Sequence, residues 1–199
     1  MKFWTTEHIF PHSWTKVTEA SWRKYNVPLS EVLLPHVLAT DVIDRSVSDN
    51  GVMSSTRLFT VESVIPSWIR PIIGVSESCG YVYETSEVDP RQKIMVLRSK
   101  NITLNNYVSV EETCTYTQLD DNTTHFKQEC QISANISYLA SRAETAVMDS
   151  FKKGAEKGRD TVEKVCHFID TEVAEVEKAL ESVLHLERPV KSNDDSATE

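Results

Sequence analysis

The sequence predicts an α+β protein in which a seven-stranded antiparallel sheet packs on a long C-terminal helix. Two observations carry this expectation. Three pairs of strand-like runs are each joined by a short polar turn, and a further short strand opens the chain. From Ser137 the apolar period changes from two to steps of three and four, so the strands are followed by a helix long enough to cross them. Consecutive hairpins favour antiparallel pairing, and helices bracketing the strands complete a layered domain.

Phe3 to Phe10 reads as the opening strand. Pro11 ends it, and Ser13 suits the N-cap of a helix over residues 13–25 whose inward stripe is Trp14, Val17, Ser21 and Trp22. The connection NVPLSEVLLPHVLA holds Pro28 and Pro35 and is expected to cross irregularly rather than as a helix. TDVIDRSV and VMSSTRLFTV then flank Asn50-Gly51, a strong hairpin signal because both residues tolerate positive φ. CGYVYETSEV and QKIMVLRSKNIT turn at Asp89-Pro90, and YVSVEETCTYTQL and THFKQECQISANI turn at Asp120-Asp121-Asn122. In the helical region Leu139, Ala143, Val147 and Phe151 start a stripe that runs on from Val162 to Val183, with a bend expected near Gly154 and Gly158. Residues 1–170 are expected to form the domain, and 171–199 a helical extension ending in an acidic disordered tail.

Between the first two hairpins lies VESVIPSWIRPIIGVSES, residues 61–78. Val64, Ile65, Trp68, Ile69, Ile72 and Ile73 recur on one helical face, with Pro66 suited to a first turn and Pro71 ending or kinking the helix. Leaving six such side chains in water would cost on the order of 10 kcal/mol. The face is therefore covered, either by the protein's own core or as a lid over a hydrophobic ligand or a membrane.

The formal net charge of −9 in 199 residues, of which −5 falls in residues 171–199, leaves no basic excess for neutralising phosphates in a nucleic-acid partner. The opening MKFWTTEHIFPHSW lacks a signal-peptide apolar core and an Arg-rich presequence character. Cys79, Cys114, Cys130 and Cys166 are far apart and are read as free thiols, with no metal-ligand spacing. The six histidines do not pair in sequence with Cys or carboxylates, and no nucleophile elbow, HExxH, P-loop or GxGxxG occurs. No enzyme, cofactor or metal is expected from these patterns.

Arg57 is the informative anomaly. It shares a strand face with Met53, Phe59 and Val61, and a guanidinium there must reach water or find a partner. It either snorkels at a strand edge or receives an anion at a pocket mouth; in the second case Arg57→Ala would abolish ligand binding with stability nearly unchanged. On the helix, Lys153 and Lys157 lie one turn apart with Arg159 beside them, a solvated face or the cationic end of a greasy cavity.

MKFWTTEHIF, a Trp-containing helix ending in RKY, DVIDR, STRLF, PSWIRPIIG, EVDPRQKIMVLRSKNIT and VSVEET together resemble the PRELI-like family, closest to its Slowmo branch. The resemblance runs from Met1 to about Ile169. It implies a steroidogenic-acute-regulatory type of fold, with a curved sheet closed over the C-terminal helix and a lid over a lipid cavity. It also implies a mitochondrial intermembrane-space protein, peripheral to membranes and bound to a small twin Cys-x9-Cys helical partner. Such proteins carry phosphatidic acid or phosphatidylserine, with phospholipid as cargo and no cofactor. Lys24, His36, Arg57 and Lys157 fall where the family places polar contacts to head group or anionic membrane surface, and residues 61–78 fall on its lid. The connection YNVPLSEVLLPHVL is longer than the family's Tyr-Pro-Asn-Pro form. Val61 and Val64 stand where phosphatidic-acid carriers often have lysines, which favours phosphatidylserine. A non-transfer interaction module using residues 170–187, and a cyclase- or hydrolase-like enzyme of the same fold, are the competing expectations.

Overall fold

The structure, a computed structural model, describes residues 1–26, 29–62, 67–74 and 79–186. Its strands are β1 (Lys2–Phe10), β2 (Val37–Val47), β3 (Met53–Glu62), β4 (Cys79–Asp89), β5 (Ile94–Asn101), β6 (Val108–Asp120) and β7 (Thr123–Ala134). They form one curved sheet in the order β1-β7-β6-β5-β4-β3-β2, every pair antiparallel. The helices are α1 (Trp14–Arg23), α2 (Leu29–Leu33) and α3 (Ala140–Leu186), the last preceded by a 3-10 turn at Ser137–Leu139.

Local chemistry accounts for these boundaries. Ser13 caps α1 by accepting from the Lys16 amide at 3.4 Å. Gly51 takes φ +79° in the first hairpin turn, where a side chain would be strained. The Asp89 carboxylate accepts from the amides of Arg91 and Gln92, and the Asp120 carboxylate from the Asn122 amide and the Thr123 hydroxyl. The connection after α1 departs from expectation, because α2 forms a helical turn ahead of Pro35 where an irregular crossing was expected.

Contacts divide the chain into two compact units, Met1–Cys166 and His167–Glu199. In the first, the inner face of the sheet packs on α1 and on the first half of α3. At one end Ile69, Val108, Ile132, Ala143, Val147 and Met148 form a dry cluster. Phe10, Tyr116 and Phe126 pack against one another with ring centroids 4.7–6.4 Å apart. His12 Nε2 meets the Glu163 carboxylate of α3 at 2.9 Å across 151 residues, a pairing invisible in the linear chain. All four cysteines are free. In the second unit α3 continues through described residues 167–186, with Val173, Val176 and Leu180 more than half exposed. No described helix is long and apolar enough to cross a membrane.

The apolar stretch divides in a way its period does not foresee. Residues 67–74 form consecutive turns rather than a helix, since Pro71 supplies no amide and one four-residue bond remains, Ile73 N to Ile69 O at 3.2 Å. Ile69 is fully buried in the dry cluster, Trp68 and Ile73 pack against it, and Ile72 is exposed. The own-core reading thus holds for Ile69, which offers no surface to a membrane. Val64 and Ile65 lie outside the described residues.

Candidate functional site

Side chains alternate along each strand, so the sheet's inner face is composed of every second residue. Across four adjacent strands that alternation lines up one polar row: Arg57 of β3 opposes Glu84 of β4, Glu84 opposes Ser99 of β5, and Ser99 opposes Glu112 of β6. Gln128 of β7 extends the row and donates to Glu112 at 2.5 Å, while Ser99 Oγ donates to Glu112 at 3.0 Å. A belt of five polar side chains therefore crosses the inner face.

Beside the belt is a cavity of about 520 Å³, within the roughly 300–1,000 Å³ range of ligand pockets. Its apolar walls come from Phe10, Leu34, Phe59, Val82, Leu97, Tyr116, Phe126, Phe151 and Val162. Lys24, at the C-cap of α1, reaches it with only 8% of the residue exposed. The Lys24 ammonium lies 5.0 Å from the Tyr25 ring, and no carboxylate among the described residues is within ion-pairing distance. Burial disfavours its charge, and the negative charge of Glu84 favours it. The cavity is thus lined by a lysine ammonium that no carboxylate among the described residues pairs.

The remaining basic residues lie along the same cavity. Lys153 and Lys157 are exposed on α3, Arg159 is half-buried and donates to Gln128 Oε1 at 3.4 Å, and His36 approaches from the start of β2. Burial lowers the His36 pKa, the Lys157 ammonium lowers it further, and Glu62 opposes both. His36 is therefore a neutral hydrogen-bonding group at pH 7. Gly154 and Gly158 lie on the same stripe of α3 as Phe151 and Val162, and a Cβ added at either would meet nothing within 4 Å. These two glycines leave room in the cavity that side chains would occupy.

Arg57 stands apart from the other basic groups. It is 3% exposed and absent from the cavity lining, and both Nε and Nη2 donate to Glu84 Oε1, at 2.9 and 2.5 Å. Its guanidinium also stacks over Trp22, Phe59 and Tyr25 at 4.2–5.1 Å. It neither snorkels to water nor sits at a pocket mouth; its charge is taken up by a carboxylate one strand away. Burial raises the Glu84 carboxyl above its ordinary value, and the Arg57 charge and hydrogen bonds pull the other way. The cavity itself brings together Lys24, His36, Lys153, Lys157 and Arg159. Glu84, Glu112 and Gln128 were not anticipated, because their common position depends on strand register.

Several acids around the cavity are held protonated. Burial pushes Cys114, Tyr25 and Tyr116 up from ordinary values of 9.0 and 10.0, and Cys130 up to about 12. These groups keep protons in the folded state that the unfolded chain releases, so stability is full below about pH 9 and falls as pH rises above it. The urea midpoint measured from pH 8 to 11 should fall steadily; a flat profile would contradict this protonation pattern.

A model of the PRELI-like family matches residues 15–189. The chain belongs to the PRELI-like family. This PRELI-like protein is 35% identical over 190 residues to the protein slowmo homolog of Dictyostelium discoideum, covering 92% of this chain and 81% of that one. It is 36% identical over 165 residues to protein UPS2, mitochondrial, of Saccharomyces cerevisiae, covering 80% and 70%. Its fold matches human STARD10 with a TM-score of 0.56 at 10% identity, covering 94% of this chain and 72% of that one. The steroidogenic-acute-regulatory type of fold implied by the sequence resemblance is therefore the fold of this PRELI-like protein.

Proposed function

We propose that this protein is a phospholipid-transfer protein of the mitochondrial intermembrane space. It carries an anionic phospholipid between the outer and inner membranes, phosphatidylserine in preference to phosphatidic acid, and works with a small twin Cys-x9-Cys helical partner. Family membership and the mitochondrial relative support the setting. The observation that carries the chemistry is Lys24, a buried, unpaired ammonium facing an apolar cavity.

The physical need is large. A diacyl lipid has roughly 30 methylenes, and at about 0.8 kcal/mol each its bare tails would cost more than 20 kcal/mol in water. A dry cavity removes much of that barrier, while Lys24 compensates the charge of the head group. Exposed Lys153 and Lys157 lie along the same cavity, where an anionic membrane attracts them and salt weakens the attraction. The exposed apolar Ile72 side chain is available to the same membrane surface.

The reading requires no catalytic group. Cys114, which lines the cavity, is held protonated by burial, which suits a receptor and disfavours covalent catalysis through its thiol.

Native mass spectrometry of the protein exposed to mixed liposomes tests the proposal, and one phospholipid per chain is the expected result. A protein that acquires nothing would reject the carrier reading and favour the interaction module. Lys24→Met should weaken loading of anionic lipids by about 10- to 100-fold, as expected for losing a charge-assisted hydrogen bond of roughly 1.5–3 kcal/mol. Normal loading by that variant would remove Lys24 from the site.

A further inference from the structure

We propose that Glu112 receives an ammonium group of the cargo, so that the cavity selects a head group carrying a primary amine beside its phosphate. This rests on reading the cavity as a lipid site. Glu112 lines the cavity from β6 and is held by three neutral donors: Gln128 Nε2 at 2.5 Å and Cys114 Sγ at 3.4 Å on Oε1, and Ser99 Oγ at 3.0 Å on Oε2. No cation among the described residues lies within ion-pairing distance of it, whereas Glu84, two strands away in the same row, is paired with Arg57.

The arrangement is oriented as well as uncompensated. Arg159 donates to Gln128 Oε1, which leaves the Gln128 amide nitrogen to donate to Glu112. Glu112 is thereby held with its geometry defined. A carboxylate offers about four acceptor sites, and the three protein donors leave one open. A carboxylate beside an apolar cavity, with no counter-charge, gains strongly from a cationic hydrogen-bond donor.

Lys24 limits which ligands can supply that donor. A simple cation entering the cavity meets the Lys24 ammonium, and a purely anionic head group leaves Glu112 unpaired. A head group with phosphate and ammonium joined by a short linker carries a partner for each residue. Serine and ethanolamine head groups have this chemistry. Phosphatidic acid lacks the cation, and a choline head group has a cation with no N–H to donate.

The test uses the full chain, incubated with vesicles holding equal amounts of phosphatidylserine, phosphatidylethanolamine, phosphatidic acid and phosphatidylcholine, followed by extraction and mass spectrometry of bound lipid. Amine-bearing lipids should be enriched at least about tenfold over phosphatidic acid, and Glu112→Gln should lower that ratio about tenfold. An unchanged ratio in Glu112→Gln would overturn the proposal. A second arm leaves the protein untouched: wild-type protein should load N-acetylated phosphatidylethanolamine about tenfold less than phosphatidylethanolamine, and equal loading would also overturn it. The ratio of serine to ethanolamine lipid identifies the source of the amine. Loading without head-group discrimination rejects the role of Glu112 alone, whereas no loading of any lipid rejects the carrier reading itself.

Discussion

Replacing Arg57 by alanine is expected to destabilise the protein by about 3–5 kcal/mol, because it leaves Glu84 buried without its counter-charge. In a chain of this size that corresponds to a fall in Tm of roughly 10 °C. The variant also loses the guanidinium stacked on Trp22 and Phe59, so α1 and β3 lose a shared contact. The double variant Arg57→Met, Glu84→Leu should recover most of the loss, since it removes both charges and leaves apolar side chains of similar volume. Thermal unfolding of the two variants decides the matter. If Arg57→Ala melts with the wild type but fails to load lipid, Arg57 is a head-group receptor, one of the two readings its sequence context left open. Residual lipid loading by folded Arg57→Ala protein should instead track the folded fraction.

The second large effect runs in the opposite direction on stability. Gly154 and Gly158 sit inside a 47-residue helix, where each glycine costs about 0.8–1.0 kcal/mol relative to alanine. No turn or close backbone approach requires them, since an added Cβ at either position meets open space. Their effect is to leave the helix face bare where it meets the cavity. Gly154→Leu, Gly158→Leu should therefore raise stability by about 1.5 kcal/mol, while the two leucines fill the space and abolish lipid loading. Loading measured beside Tm checks both halves. A variant that loads normally would show that the space along α3 is not where cargo sits.

The strands, their antiparallel order, the three turns and the change to helix at about residue 137 were all legible in the sequence, because they depend on alternation and turn chemistry within a few residues. The polar row was not. Glu84 and Glu112 occur in YVYETSEV and VSVEETC, where a carboxylate among threonines and valines looks like an ordinary surface residue of a strand. Their inward position depends on which residues oppose Arg57 and Ser99, and register of that kind is fixed by pairing across the sheet. Arg57 was recognised as anomalous, but its partner lies 27 residues away and could not be named. Lys24 and Lys157, 133 residues apart, meet in one cavity only after the sheet curves under α3. The glycine pair was visible as a pattern and read as a bend, whereas its place on the cavity lining was not, since helix propensity describes what glycine costs and not what its missing side chain leaves open.

The pairing of the first strand with the last has a consequence for how the chain becomes folded. Lys2 opposes Ile132 and Phe10 opposes Thr124, so β1 cannot find its place until more than a hundred later residues are present. Every other sheet contact joins neighbouring hairpin strands and can form locally. A chain emerging from a ribosome, or threading a pore from its N-terminus, would thus present β1 first and dock it last. Closing so long a loop delays the final step, during which the inner edge of β7 and the side chains of Trp4 and Phe10 lack their native cover. The architecture keeps a newly made chain open through most of its synthesis, and its sheet cannot take in β1 until residues 123–134 arrive.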